Sequence, residues 1–335
     1  MIASRESDSH AESRIGEEPT PDEGVRAYVN KSMNHLPTVV GLGEILWDLL
    51  PTGRQLGGAP ANFAYCSHLL DERAVVASRI GTDDLGKDAR ESMLGKGITD
   101  QFLQTDPSHA TGTVHVHLDV EGQPRFEITE PVAWDFLEWT PTWRALAESA
   151  DAVCFGTLAQ RSPSSHRTIV EFLRATQPKA LRVFDVNLRQ NFYSLEIISG
   201  SLSRANVVKL NQEEVPRVRE LLDINSNDEL SFCREVIEKF KLQLMCITRG
   251  STGSLLCDQT SAHEHPGFRI QVKDTVGAGD AFTAALVREY LRGASLAEIN
   301  DSANRMGAWV ASCAGAMPPP PAEGLPQELA EFQLK

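Results

Sequence analysis

From about residue 150 onward, short apolar runs alternate with helical stretches, and this alternation narrows the fold more than any other feature. Ala152-Val153-Cys154-Phe155-Gly156-Thr157 reads as a buried strand and residues 163–176 as a helix. Leu181 to Arg189 and Asn206 to Leu210 read as further strands. Gln243 to Leu256 reads as strand, glycine turn and strand. Parallel strands need a long crossover between them, and a helix supplies it. The expected class is therefore α/β with a parallel sheet. Upstream, Thr38 to Leu46 reads as one buried strand that delivers Trp47 and Asp48 to its end, with a helix at 61–70 behind it.

The 335 residues suit one large α/β domain or two small ones, and 41% apolar content is enough for a sizeable core. Net charge is −14, with no cluster of Lys or Arg, which argues against nucleic acid and anionic membrane as partners. No apolar run reaches transmembrane length. The six cysteines are scattered without a Cys-x-x-Cys pair, as expected of reduced core thiols in a cytoplasmic protein. Residues 1–36 are acidic, carry Pro19 and Pro21 and lack an apolar period, so a disordered arm is expected there; Met33 is a second candidate start.

The chemistry concentrates in Lys273-Asp274-Thr275-Val276-Gly277-Ala278-Gly279-Asp280-Ala281-Phe282. A small-residue helix follows and ends at Gly293. Gly277, Ala278 and Gly279 should form its first turn, where N–H groups lack partners and the dipole is positive. Such a turn holds an anion, most often a phosphate. A carboxylate at Asp280 would repel that anion unless it had separate work, such as taking a proton from an attacking hydroxyl. The alternative is an N-cap aspartate behind a glycine turn. Asp274-Thr275 ahead and the small-residue helix behind favour the first reading.

Other polar positions are less specific. Gly57-Gly58-Ala59-Pro60-Ala61-Asn62 opens a helix near Asp48; glycines admit a ligand to the backbone, and Asn62 can both donate and accept. A strand, glycine turn and helix-start Asn are also common in any α/β protein. Gly81 to Lys87 mimics a P-loop, but Asp88 stands where Ser or Thr is needed and Asp83-Asp84 would repel phosphate, so a plain turn is expected. Thr113 to Val120 and Arg125 to Thr129 alternate as a hairpin with one apolar face. His115 and His117 share its polar face as solvent-facing residues, not metal ligands; Trp134 and Trp139 follow and are placed under or beside it. Asp185, Asn187 and Arg189 end a strand and share a face while it stays extended. Asn211…Glu214 on its own is a helix capping box.

Lys273 to Asp280 resembles the second signature of the ribokinase-like sugar kinases, the PfkB family, at every fixed position of Asp-Thr-x-Gly-Ala-Gly-Asp. An acidic residue followed by Gly-Gly-x-Pro-Ala-Asn resembles the fructokinases in particular. The resemblance covers about 37–320. It implies a doubly wound, mainly parallel sheet flanked by helices, with a small β lid from strands within about 50–57 and 111–130, in a domain spanning 37–321 with a tail at 322–335. It implies transfer of the γ-phosphate of ATP to a sugar hydroxyl. Asp280 would be the general base, and the amides of Gly277, Ala278 and Gly279 the anion hole. Asp48, Gly57, Gly58, Asn62 and Arg189 would bind the sugar. Asn211, Glu214, Thr248, Gly250, Gly253 and Asn304 would bind ATP, Glu214 acting on Mg²⁺ through water. Asp274 and the carbonyls of Val276 and Gly315 would hold K⁺, although Cys313-Ala314 departs from the polar or basic residues of many relatives. A homodimer through the lid is also implied. The expected acceptor is a fructose-like ketose; 2-keto-3-deoxygluconate, ribose, a nucleoside, or a silent binding scaffold are the alternatives.

Overall fold

The computed structural model describes residues 36–51, 53–118, 124–321, 324–330 and 332–335. The acidic segment 1–35 and the hairpin turn 119–123 lie outside the described residues. In chain order the elements are β1 (Thr38–Leu42), β2 (Leu46–Leu50), β3 (Gly53–Gly57), α1 (Ala59–Leu69), β4 (Arg73–Gly81), α2 (Asp84–Gly95), β5 (Leu103–Asp106), β6 (Gly112–Leu118), β7 (Pro124–Ile128), α3 (Pro141–Ser149) and β8 (Ala152–Phe155). There follow α4 (Pro163–Ala175), β9 (Leu181–Asp185), α5 (Leu195–Leu202), β10 (Val207–Asn211), α6 (Val215–Leu221), α7 (Glu229–Phe240), β11 (Leu244–Thr248), β12 (Ser254–Asp258), β13 (Ala262–His265), α8 (Ala278–Leu291), α9 (Leu296–Ala311) and α10 (Leu325–Ala330).

Nine strands form one sheet in the order β13-β12-β11-β10-β9-β8-β1-β4-β5. The chain winds outward from β1 through β4 to β5, then returns to β8 and winds the other way. The order reverses between β1 and β8, and ligands of such sheets bind beyond the carboxyl ends at that point. Pairing is parallel from β5 to β11 and antiparallel at β12 and β13. Strand residues point alternately to two cores. Val40, Val153 and Phe155 join Phe172, Ile198 and Phe232 on one face. Val39, Ala152 and Cys154 join Phe63, Phe282 and Trp309 on the other. Burial on both faces is why these strands read as continuous apolar runs without alternation. Each large side chain removed from water there contributes about 1.5–3 kcal/mol.

A second sheet has the order β3-β2-β6-β7 and forms the lid. It corrects the reading of Thr38 to Leu46 as one strand. β1 stops at Leu42, Gly43 turns the backbone at φ +144°, and β2 begins in the other sheet. Trp47 and Asp48 are therefore lid residues, not the end of a central strand. A glycine is needed at the break because that φ disfavours a side chain. Trp47 Nε1 donates to the Leu85 carbonyl at 2.9 Å, and Arg54 pairs with Asp88 while stacking over Trp47, so α2 anchors β2 and β3. Trp134 is fully buried against Gly112, where a Cβ would lie 2.3 Å from its Nε1. Trp139 packs instead on Phe172 of α4. The rejected P-loop is a turn: Asp83 caps α2 through Gly86 N–H and holds Thr111 as well. Among the described residues no helix is long and apolar enough to cross a membrane, and the six cysteines are unpaired.

Candidate active site

The polar residues singled out from the sequence gather along the carboxyl edge of the main sheet. Asp185 ends β9, Asn211 ends β10 and Thr248 ends β11; Asn211 and Thr248 are register partners. Helix α8 starts above them. Gly277 is its N-cap at φ +77°, where a Cβ would meet the Ala316 backbone at 2.8 Å. In that first turn Ala278 N–H is spent on the Thr275 carbonyl at 3.3 Å. The N–H groups of Gly277 and Gly279 have no acceptor among the described residues, so these two amides of the turn are open.

Asp280 is the third residue of the helix. Asn62 Nδ2 donates to its Oδ2 at 2.8 Å. Burial and the nearby Asp185 charge push its carboxyl up to about 6, against the pull of Lys209, Asn62 and Arg189. Lys209 lies beneath: its Nζ donates to both Asp185 oxygens at 3.0 and 3.1 Å, and Thr283 Oγ1 donates to Asp185 at 3.1 Å. A Cβ on Gly279 would lie 2.9 Å from Lys209 Nζ, so the ammonium approaches the helix turn closely enough that any larger residue would displace it. Although burial works against it, the ammonium is held charged by Asp185, Glu214 and Asp280. A fixed positive charge thus stands directly under the open amides.

The lid supplies the opposite wall. Asp48 on β2 has a carboxylate without a hydrogen-bond partner among the described residues. A Cβ on Gly57 would lie 2.7 Å from its Oδ2. Burial raises it to about 6, with Asp274 adding to the rise and Arg189 opposing it. Gly58, at φ +101°, has no room for a side chain beside the Glu44 carbonyl at 2.6 Å. Glu44 is buried at the β1–β2 break, where its carboxyl meets its own N–H and that of Ala59. Burial pushes it up to about 7, and the Asp280 charge adds to the rise. Asn62 Oδ1 and Glu44 Oε2 are buried with no partner. Two buried acceptor positions without protein donors are what a hydroxylated ligand satisfies. Asn187 and Arg189 correct the expectation of an extended strand end. β9 stops at Asp185, and Asn187 (φ 44°) and Gln190 (φ 47°) turn left-handed, so the three polar groups do not alternate on one face. Arg189 is exposed in that loop, yet its charge reaches Asp48, Glu44 and Asp280.

Beyond β10, Asn211 Oδ1 accepts from Glu213 and Glu214 N–H, and Glu214 Oε2 accepts from Asn211 N–H at 2.9 Å. Glu214 Oε1 also accepts from Leu188 N–H at 2.7 Å, which pins the Asn187–Arg189 loop. The box is thus a cap and a loop anchor together. Gly250 (φ +55°) and Gly253 (φ +85°) bracket a 3-10 turn after Thr248, and a Cβ on Gly253 would meet the His265 carbonyl at 1.8 Å. Asn304 is nearly buried, its Nδ2 spent on Ser254 and Asn300, so only its Oδ1 is left for a ligand. Asp274 accepts from Val276 N–H at 3.0 Å and Gly315 N–H at 3.1 Å, which brings the three expected K⁺ residues together but commits both carboxylate oxygens to the backbone. Among the described residues no three acidic, His or Cys side chains cluster as a metal site.

Sequence reasoning overlooked Lys209 and Glu44. A lysine inside Val207-Val208-Lys209-Leu210 was the available signal, since a charge in a buried strand needs a partner. A concavity of about 790 Å³ on the outer face of α4, beside Trp139 and Arg167, holds none of these groups. A small cleft lined by Pro60, Phe63, Cys154, Asp185 and Asp280 lies behind the carboxylate.

The family model described as pfkB family carbohydrate kinase matches residues 52–323. The chain is similar to a fructokinase of Escherichia coli, 30% identical over 82% of this chain and 94% of the relative. It resembles the structure of an uncharacterized sugar kinase from Pyrococcus horikoshii, with TM-score 0.76, 26% identity, and 88% and 99% of the two chains covered. It also resembles Vibrio cholerae fructokinase in its fructose, ADP and calcium ion bound form, with TM-score 0.74, 26% identity, and 90% and 99% covered.

Proposed function

Because this chain belongs to the pfkB family of carbohydrate kinases, we propose that it transfers the γ-phosphate of ATP to a hydroxyl of a fructose-like ketose. The observation that carries the reading is Asp280 beside the open amide turn of α8, held by Asn62 at 2.8 Å. The similarity to fructokinases, one of them with fructose and ADP bound, supports the acceptor.

In the reaction, Asp48 accepts hydrogen bonds from sugar hydroxyls, and Asn62 Oδ1 accepts another. The attacking hydroxyl gives its proton to Asp280 as its oxygen bonds to the γ-phosphorus. The bond from that phosphorus to the β–γ bridging oxygen breaks, and ADP leaves. Gly277 and Gly279 N–H groups and Lys209 meet the charge on the transferred group, and such preorganised charge is the main lever in phosphoryl transfer. Thr248, Gly250 and Gly253 line the polyphosphate, with Asn304 toward the base. A metal ion bound with the nucleotide, near Glu214, would supply neutralisation of phosphate charge. Asp274, Val276 and Gly315 stiffen the loop before the amide turn, with or without K⁺.

The test is ADP release with fructose and ATP by the wild type and by Asp280→Asn. Fructose-dependent release that the substitution abolishes supports the proposal. ATP binding by calorimetry without turnover on any sugar would make the chain a silent binding module instead. One observation favours a second acceptor: the Arg189 charge acts on Asp48, which suits an acidic sugar such as 2-keto-3-deoxygluconate.

A further inference from the structure

We propose that residues Phe332 to Lys335 form a strap on the Gly250–Gly253 loop, and that Lys335 thereby sets how tightly the protein holds ATP. The inference rests on that loop lying along the nucleotide, as in the function proposed above.

The segment is held at three places. Its backbone pairs with the turn after β13: Arg269 N–H donates to the Gln333 carbonyl at 3.0 Å, and Lys335 N–H donates to the Gly267 carbonyl at 3.2 Å. The bridge between Phe268 and Leu334 lies between those bonds. Phe332 faces the Phe268 ring at 6.2 Å, and Phe268 in turn packs on His265 at 4.9 Å. Arg305 on α9 lies over Phe268 at 4.5 Å and donates to the Leu329 and Phe332 carbonyls at 2.8 and 3.3 Å. Asp301 fixes that guanidinium at 2.6 Å.

The turn that receives the strap is the seat of the glycine loop. A Cβ on Gly253 would lie 1.8 Å from the His265 carbonyl and 2.6 Å from Gly267 N. A Cβ on Gly267 would lie 3.0 Å from the Ser251 carbonyl. The loop and the turn are therefore in backbone contact. Lys335 Nζ closes the arrangement by donating to the Ser251 carbonyl inside the loop. The strap also reaches α9 through Arg305, the neighbour of Asn304, so it ties together two walls of the nucleotide side. A loop already fixed in shape loses less entropy when a ligand binds. In a chain of net charge −14, one ammonium at the loop also attracts a polyphosphate.

The experiment measures KM for ATP and for sugar, kcat and Tm on the full chain bearing Lys335→Met, Lys335→Arg or Phe332→Ala. Lys335→Met should raise KM for ATP roughly three- to tenfold, the net worth of one ordinary, exposed hydrogen bond. The sugar KM should not move. Lys335→Arg should stay near wild type, and Phe332→Ala should resemble Lys335→Met. An ATP KM unchanged in both Lys335→Met and Phe332→Ala, whatever happens to Tm, would overturn the strap, as would an equal rise in the sugar KM. If no sugar turns over, the acceptor reading fails, and ATP affinity of the same variants by calorimetry still decides the strap.

Discussion

Asn62 Nδ2 donates to Asp280 Oδ2 across 2.8 Å, joining the helix that follows the lid strand to the helix that carries the proposed base. The bond gives Asn62 two tasks. Its amide nitrogen orients Asp280, and its buried, unpartnered Oδ1 is what remains for a sugar hydroxyl. In the proposed reaction, sugar positioning and proton acceptance are thereby tied to one side chain.

Asn62→Ala should show both tasks at once. Asn62 lowers the proton affinity of Asp280, so its loss should move the acid limb of the kcat/KM profile to higher pH, from about 6 in the wild type. The sugar KM should rise as well. A rise in KM with an unmoved acid limb would confine Asn62 to the substrate.

Asp280→Asn keeps the size of the side chain but cannot take the proton. A kcat loss of roughly 10²–10⁴-fold is expected, the usual worth of a general base. ATP affinity by calorimetry should change little. Turnover near wild type would remove Asp280 from the mechanism.

The same substitution should stabilise the ligand-free protein at high pH. The folded carboxyl titrates at about 6 against an ordinary 3.8. Below about pH 3 both states are protonated and nothing is lost. As pH rises through roughly 3 to 6 the unfolded chain sheds its proton first, and stability falls by about 1–3 kcal/mol. Removing the charge should raise Tm roughly 2–6 °C at pH 8 and leave it unchanged at about pH 3. An equal Tm at both pH values would mean Asp280 is not strained by burial.

Asp48→Ala should raise KM for a neutral sugar strongly and spare ATP, because it leaves sugar hydroxyls without their acceptor. Initial-rate kinetics with each substrate varied in turn would check this. Equal effects on both substrates would mean the lid acts as a general cover and not as a sugar ligand.

The parts of the candidate site that are contiguous in the chain were legible. Gly277 to Asp280 announces a helix start with open amides because glycines, a carboxylate and an apolar helix follow each other directly, and the structure starts a helix there. The parallel sheet was legible because its strands are buried on both faces. The break at Gly43 was not, since the apolar residues from Thr38 to Leu46 run on without a change of character while the chain passes between sheets. Lys209 and Glu44 escaped because their meaning lies in what they face: Lys209 meets Asp185, 24 residues back, and Gly279, 70 residues on. Arg189 was legible as a charge, while the left-handed turns at Asn187 and Gln190 that place it were not.

The central claim is that this carbohydrate kinase acts on a fructose-like ketose, and kcat/KM over fructose, ribose, 2-keto-3-deoxygluconate and adenosine tests it most directly. The wild-type protein with ATP and a divalent cation should rank fructose first, because Asp48 and Asn62 Oδ1 present acceptors to neighbouring hydroxyls. A rank for fructose at least tenfold below the acid would hand the pocket to Arg189, and the same shortfall against adenosine would require a base-binding slot; either result would contradict the assignment.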